Sequence, residues 1–444
     1  MTPPPPRALR RRVGLPGAVL LGLGSMVGTG VFVGLGLAAA EVETGWQLTL
    51  AIVLAGVLAL CNALSSAQLA AAHPVAGGTY EYGRRYLTPW LGAAAGAWFL
   101  VAKGASASAA ALAVAGYAFP VAFPLAAGRG LEIALGLGLV GMLTVVVLEG
   151  IRRSVTVNAV IVAVTLLSLL GFVAAVAVAG PEGNAGKSAM PLSGLQQTRA
   201  PGGVAAAAAL VFVAFTGYGR IATLAEEVTK PRRTIPRAVF VTIGVTVALY
   251  AAVAGAAVHA VGHDLFSGIS VTSNAPLVEV VLLAGVQNTL MIQKVAAAGL
   301  VLGAGLAMVG VLMNLLLGLS RVVLAMGRAG DLPKKLAEVD ATGSTPGPAV
   351  VAVAVGVAML VLAGSVSLAW TLSAAAVLGY YALTNAAALR LPPEDRRFPR
   401  VLAWAGLFGC AGLAFTLPVW SWATALGVGA AGVLCHRFAG AGRA

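Results

Sequence analysis

The sequence predicts an all-α polytopic membrane protein with twelve transmembrane helices. Of its 444 residues, 59% are hydrophobic and only 10% are charged, whereas a soluble domain has about 25% charged residues. The apolar residues fall into stretches that approach the roughly 20 residues a helix needs to cross a bilayer. Basic residues cluster in alternate segments between these stretches. Because a soluble protein of this length needs more surface charge, we infer that lipid surrounds most of this chain.

Twelve apolar stretches are candidate spans. They are Leu15–Ala40, Trp46–Ala72, Trp90–Phe119, Ile133–Leu148, Val155–Ala179, Gly203–Ala225, Ala238–Val261, Val295–Leu324, Ala349–Ala363, Leu368–Ala388, Val401–Phe415 and Pro418–Cys435. The ninth and the eleventh are the shortest, and they are the weakest candidates. Residues 1–14 precede them as an N-terminal tail. The first apolar stretch is too long for the core of a signal peptide, so we interpret it as a retained span.

The distribution of basic residues predicts the orientation of the spans. If the N-terminus is cytoplasmic, 22 of the 28 Lys and Arg residues fall in cytoplasmic segments, four in outer segments, and two, Lys103 and Arg220, inside spans. Cytoplasmic loops of membrane proteins are enriched in Lys and Arg. This topology explains the net charge of +13, so no nucleic acid partner is expected. We expect both termini to be cytoplasmic and the membrane to be the inner (plasma) membrane of a bacterium.

Spans one and six are predicted to be broken near the middle of the membrane. Gly24, Gly28 and Gly30 interrupt span one, and Gly217 and Gly219 interrupt span six. Each Gly weakens a helix by about 1 kcal/mol relative to Ala. Within a membrane, an unwound stretch is tolerated only inside the protein or beside a water-filled cavity. Matched breaks in two five-helix halves indicate an inverted repeat with a binding site at mid-depth. The alternative is that these glycines serve close helix packing.

The repeat assigns residues 15–179 to the first five-helix half and residues 203–388 to the second. Residues 401–437 form two additional spans. The outer segment after span seven is predicted to contain a short surface helix from Asn274 to Leu283. No segment between spans is long enough for a soluble domain, which excludes an enzyme with a soluble catalytic domain. We expect no catalytic residue, metal site or cofactor.

Five short motifs follow one another along the chain. They are Gly24–Phe32 in span one, His73–Tyr80 after span two, Phe212–Gly219 in span six, Glu226–Pro236 behind it, and Ser320–Pro333 after span eight. On these motifs the chain resembles the amino acid–polyamine–organocation transporter superfamily over nearly its whole length, in particular bacterial permeases related to cationic amino acid transporters. The resemblance implies a LeuT-like fold and secondary active amino acid transport by alternating access, as a proton-coupled symporter or an exchanger.

The resemblance also places the substrate at the two breaks. It implies as substrate-binding residues Leu23, Gly24, Ser25, Val27, Gly28, Thr29, Gly30, Phe212, Phe215, Thr216, Gly217 and Tyr218. Backbone amides after the span-one break suit a carboxylate, and the carbonyls that end the first half-helices suit an amine. Phe212 or Phe215 would cap the substrate from outside. The expected partners are an amino acid, membrane lipid and, for symport, a proton, with the chain a monomer or a homodimer.

Three residues are candidates for coupling or gating. Lys103 lies 13 residues from Trp90 and 16 from Phe119, and an ionisable residue at mid-membrane depth costs about 3 kcal/mol on insertion scales. We interpret it either as a proton carrier or cation beside the substrate, holding spans one, three and eight together, or as a lysine that merely locks helices. Several proton-coupled relatives have a lysine in span five where the resemblance places Thr165. Arg220 is either a cytoplasmic gate residue or a snorkelling residue.

The sequence favours a neutral substrate. No acidic residue is placed clearly inside the predicted cavity, so a dibasic substrate has no evident counter-charge. We therefore favour neutral L-amino acids. A transporter or antiporter of cationic amino acids or polyamines, and an amino acid sensor that does not translocate its ligand, are the alternatives.

Overall fold

The computed structural model shows a helical membrane protein. It describes residues 14–73, 77–122, 128–150, 155–179, 202–219, 228–284, 290–339 and 346–441. Helices are the expected form, because a backbone in lipid must satisfy its polar groups internally. The regular elements of these ranges are helices, which confirms the predicted all-α class.

Sixteen helices are distinguished along the described residues. They are α1 Leu15–Met26, α2 Gly30–Ala39, α3 Gly45–Ala72, α4 Thr79–Tyr82, α5 Pro89–Ala122, α6 Arg129–Leu148, α7 Val155–Ala179, α8 Gly203–Phe215, α9 Pro231–Val261, α10 His263–Thr272, α11 Pro276–Leu283, α12 Leu290–Ala329, α13 Gly347–Leu362, α14 Val366–Leu389, α15 Arg400–Thr416 and α16 Val419–Ala441. The first residues of α2, Gly30–Gly34, form a π-helix, and a π-helical turn, Gly83–Leu87, follows α4. Short 3-10 turns follow α8 at Thr216–Tyr218 and α12 at Lys334–Ala337.

Eight helices in the described ranges are long and apolar enough to cross a membrane. They are α3, α5, α6, α7, α9, α12, α14 and α16. Helices α1 and α2 meet at an angle of 48° across a short break and together can form a further span. Helices α8, α13 and α15 are apolar but shorter. The count of twelve spans stays a prediction.

The helices pack in two groups. Helices α1, α3, α8 and α9 contact one another in a chain, and α5, α6, α12 and α13 form a second group. Helices α7 and α14 contact members of both groups, α15 packs on α14 and α3, and α16 packs on α5 and α14. The core between them is rich in buried Ala and Gly, which allows the close backbone approach typical of membrane helices.

Some helix bounds differ from the predicted ones. Helix α6 begins at Arg129, ahead of the predicted Ile133, and α12 ends at Ala329, beyond the predicted Leu324. Apolar stretches end where charges begin, whereas backbone hydrogen bonding continues past them. The predicted surface helix is present as α11, but residues such as Leu277 and Val280 are buried. The sequence prediction of a surface position was wrong for that face, and α10 was not predicted.

Candidate functional site

The first break separates α1 from α2. Val27 has an extended conformation, with ψ of 97°, which ends α1. Its N–H donates to the Leu23 carbonyl, and the N–H groups of Val31 and Phe32 donate to the Gly28 carbonyl. Within the described ranges, the N–H groups of Gly28 and Thr29 have no backbone acceptor. These two donors sit at the N-terminal, positive end of α2, which favours an anion.

Thr29 adds a third unused donor to this break. Its residue surface is only 3% exposed, and its hydroxyl has no hydrogen-bond partner among the described residues. A buried hydroxyl without a partner costs free energy unless a ligand or water bonds to it. The Thr29 hydroxyl and the two amides therefore form a polar group that a carboxylate would satisfy.

The second break follows α8 and touches the first. Helix α8 ends at Phe215, and the chain tightens into a 3-10 turn from Thr216 to Tyr218. A Cβ atom added to Gly217 would lie 2.2 Å from the carbonyl oxygen of Ser25. Only Gly permits this approach, so the two breaks meet backbone to backbone. The carboxyl ends of α1 and α8, which favour cations, thereby come together.

The glycines of span one also serve close packing. A Cβ on Gly24 would lie 2.7 Å from Val162 of α7, one on Gly28 would lie 2.7 Å from Val311 of α12, and one on Gly30 would lie 2.2 Å from Ala214 of α8. The packing alternative is therefore correct for these three glycines, and the break coexists with it. Tyr250 of α9 fixes the break further, because its hydroxyl donates to the Met26 carbonyl at 2.8 Å.

Lys103 reaches the second break from α5. Its Nζ donates a hydrogen bond to the Thr216 hydroxyl oxygen at 2.7 Å, and that hydroxyl donates to the Val213 carbonyl at 2.6 Å. The sequence prediction had placed Lys103 between spans one, three and eight, whereas the structure bonds it to span six. Which neighbouring helix Lys103 contacts depends on the rotation of α5 about its axis, and hydropathy does not determine that rotation.

The aromatic residues of span six face in two directions. Phe212 is fully buried, and its ring meets Tyr381 of α14 edge to face at 5.8 Å; the Tyr218 ring lies 5.4 Å from the same tyrosine. Phe215 instead packs against Tyr250 of α9 at 5.3 Å. Phe212 of α8 and Tyr218 of the turn that follows therefore face α14, and Phe215 faces α9.

Thr165, one of the predicted coupling residues, is not brought to the break. The Thr165 hydroxyl donates to the Ile161 carbonyl at 2.7 Å and lies 3.5 Å from the Gly303 carbonyl of α12. Beside Val162, the residue of α7 that contacts the break is Asn158, whose side-chain amide lies over Gly24. Asn158 is the one amide side chain in this span, and that was the available signal for it. Arg220 lies outside the described residues.

The surface that remains accessible at the breaks is uneven. Residues 26–39 and 206–216 are all buried. In contrast, Gly24, Ser25, Lys103, Gly217 and Gly219 are only partly buried. The open side of the site is therefore the side of α1 and of the turn after α8, and α2 and most of α8 are buried around it.

A second charged cluster, the Asp331 cluster, lies at the end of α12. The buried Asp331 carboxylate accepts hydrogen bonds from the Tyr80 hydroxyl at 2.7 Å and from Arg84 Nη1 at 2.9 Å, and its other oxygen lies 2.7 Å from His436 Nδ1 of α16. Burial raises the pKa of nearby Glu81, which Arg84 opposes and Asp331 reinforces. Two of the five motifs, after spans two and eight, thus meet in one ion-pair cluster.

Known proteins are similar to this chain over most of its length, including the site. The amino acid permease family profile matches residues 17–427, which include both breaks, Lys103 and Asp331. An uncharacterized transporter of Mycobacterium tuberculosis is 41% identical over 429 residues, 96% of this chain and 91% of that protein. The branched-chain amino acid permease BcaP of Bacillus subtilis is 31% identical over 357 residues, 77% and 72% of the two chains. The chloroplastic cationic amino acid transporter 9 of Arabidopsis thaliana is 29% identical over 359 residues, 76% and 58%.

Proposed function

Because the chain belongs to the amino acid permease family, we propose that it is a secondary active transporter that carries L-amino acids by alternating access across a bacterial plasma membrane. The observation that carries this proposal is the contact between the two breaks at Ser25 and Gly217, with unused hydrogen-bond donors beside it. Broken helices that meet at mid-membrane are the usual site for substrates of secondary transporters.

The architecture supports a LeuT-like five-plus-five repeat. Eight long helices, the bent pair α1–α2 and three shorter apolar helices correspond in order to the twelve predicted spans. The packing groups place spans one, two, six and seven together and spans three, four, eight and nine together, so equivalent helices of residues 15–179 and 203–388 share a group. Two groups that move relative to each other, with α7 and α14 between them, would alternate access to the site. Residues 401–437 would be the two additional spans, with both termini cytoplasmic.

The substrate would bind by its backbone groups across the two breaks. Its carboxylate would accept hydrogen bonds from the N–H groups of Gly28 and Thr29 and from the Thr29 hydroxyl. Its amine would lie at the carboxyl ends of α1 and α8, near the carbonyls of Gly24 and Phe215. Phe212 and Tyr218, on the same side of α8, would contact the side chain of the substrate.

The site favours neutral L-amino acids. In the described part of the chain, no carboxylate lies against the breaks to balance a second positive charge, and Lys103 already supplies one. One relative bears the name of a branched-chain permease and another that of a cationic transporter, so the names alone do not choose between these substrates. The alternative of a cationic amino acid or polyamine transporter requires a counter-charge elsewhere.

Transport assays on the purified full-length protein test this function. Protein reconstituted into liposomes should take up or exchange labelled neutral L-amino acids from a broad panel, with or without an imposed proton gradient. Dependence on the gradient would indicate symport, and dependence on internal substrate would indicate exchange. Binding by thermal shift without any flux across the panel would instead favour a non-translocating sensor.

A further inference from the structure

The charge of Lys103 has no opposite charge to balance it in the described structure. Among the described residues, Asp331 pairs with Arg84, and its other carboxylate oxygen lies 2.7 Å from His436 Nδ1. Lys103 has a neutral partner, the Thr216 hydroxyl. A charge in a low-dielectric environment acts over several ångströms when no opposite charge offsets it. The site therefore carries a net positive charge before any substrate arrives.

This charge lies where the two breaks meet. Thr216 is the first residue of the turn after α8, and the next residue, Gly217, contacts the Ser25 carbonyl. Lys103 and Gly217 are both only partly buried, so both residues lie on the open side of the site. A side chain that leaves a substrate held at the two breaks would pass within a few ångströms of Lys103 Nζ.

We propose that Lys103 determines the charge selectivity of this site, excluding amino acids with a cationic side chain and admitting those with a neutral or acidic one. The inference rests on the proposed substrate position at the breaks. Binding sites often reject a competitor by placing a like charge against it. A lysine or arginine side chain would bring a second ammonium or guanidinium beside Lys103, whereas an aliphatic side chain brings none and a carboxylate would pair with it.

The test compares competition by neutral, basic and acidic amino acids. Uptake into liposomes that contain the wild-type protein would be measured with the labelled neutral L-amino acid that shows the largest uptake. Excess unlabelled L-lysine or L-arginine should not inhibit that uptake, whereas L-glutamate should compete measurably. In Lys103→Met, which retains side-chain length without charge, inhibition by L-lysine should strengthen by about tenfold or more, which corresponds to about 1.4 kcal/mol. Lys103→Arg should retain the exclusion.

Ser106→Ala provides a matched control on the same helix. Ser106 lies about one turn beyond Lys103, and its hydroxyl bonds to Ser373 of α14 at 2.8 Å rather than to a residue of either break. Ser106→Ala should show wild-type selectivity. Lys103→Gln serves as a second neutral variant, and strong inhibition of wild-type uptake by L-lysine would overturn the inference without any variant.

The outcomes separate this inference from the proposed function. Uptake of a neutral amino acid by the wild type, with continued exclusion of L-lysine by Lys103→Met and Lys103→Gln, overturns the role of Lys103 and leaves the function standing. Preferred uptake of L-lysine by the wild type also overturns the role of Lys103. If the wild type neither binds nor carries any amino acid of the panel, the proposed function fails, and the inference fails with it.

Discussion

The Asp331 cluster and the Lys103 site both centre on one charged side chain, but they satisfy it differently. Asp331 is bonded to Tyr80, Arg84 and His436, which come from the segment after α3 and from α16. Lys103 is bonded to one neutral hydroxyl. At the first break, the Thr29 hydroxyl has no partner in the described structure.

This difference distinguishes a structural charge from a functional one. A buried carboxylate that is bonded to donors from several segments holds those segments together. Removal of one partner leaves a buried charge without compensation. At the breaks, hydrogen-bond donors without acceptors and a cation without a counter-charge destabilise the empty protein slightly. A ligand that supplies the missing acceptors removes this cost, which adds to its affinity. We therefore expect the Asp331 cluster to determine stability and the breaks to determine binding.

The largest effect is expected from Gly217→Ala. Its Cβ would collide with the Ser25 carbonyl and separate the two breaks, so amino acid affinity should fall by about 100-fold or more, or about 2.7 kcal/mol. Gly219→Ala is the control, because its nearest neighbour, the Tyr381 hydroxyl, is 3.9 Å away and the gain in helix propensity is the same. Equal binding by both variants in a thermal-shift titration would contradict the contact between the breaks.

The next effect concerns stability rather than binding. Asp331→Asn leaves Arg84 without its counter-charge, and breaking a buried ion pair of this kind costs about 3–5 kcal/mol. The melting temperature in detergent should fall by several degrees, while protein that remains folded retains its affinity. Lys103→Met should melt close to the wild type, because the bond it removes is to a neutral hydroxyl. An unchanged melting temperature in Asp331→Asn would remove the basis of the comparison.

Lys103 should also link transport to pH. Lys103→Ala should carry substrate at a rate that a proton gradient no longer changes, because no ammonium at the second break is left to release its proton. Lys103→Arg should bind substrate but cycle slowly, because guanidinium stays protonated. Wild-type pH dependence of uptake in both variants would assign coupling to another group and leave Lys103 a packing residue.

A smaller effect is expected from Thr29→Val, which preserves shape and removes the unpaired hydroxyl. Affinity for a neutral amino acid should fall by about tenfold, the loss of one hydrogen bond to a charged group. The melting temperature of the empty protein should stay the same or rise, because a buried unpaired hydroxyl is removed. Thr165→Val, whose hydroxyl is bonded within its own helix, should leave affinity unchanged, and a matching loss there would mean that Thr29 has no specific role.

The sequence predicts the two breaks because Gly in a membrane helix is a local signal. Three glycines near the centre of one span weaken that helix whatever surrounds it. The neighbours of those glycines are not local: Gly28 suggests space for a ligand, but the structure fills the position of its missing side chain with Val311. Only the rotation and tilt of distant helices determine which residue occupies such a space.

The polar contacts of the site are harder to predict for the same reason. Lys103 and Thr216 are separated by 113 residues, and Tyr80 and Asp331 by 251. The depth of Lys103 follows from counting residues along one helix, but its partner follows from packing between helices. The motifs that contain Tyr80 and Asp331 were each recognisable in sequence, whereas their meeting with His436 was not.

A structure of the full-length protein with its bound neutral L-amino acid tests the central claim most directly. We predict ligand density between α2 and the turn after α8, with the carboxylate within hydrogen-bond distance of the Gly28 and Thr29 amides and the amine at the carboxyl ends of α1 and α8. Density elsewhere, for example in the apolar groove of about 570 Å³ between α7 and α12 that Leu167 and Val295 line, with the breaks unoccupied, would contradict it.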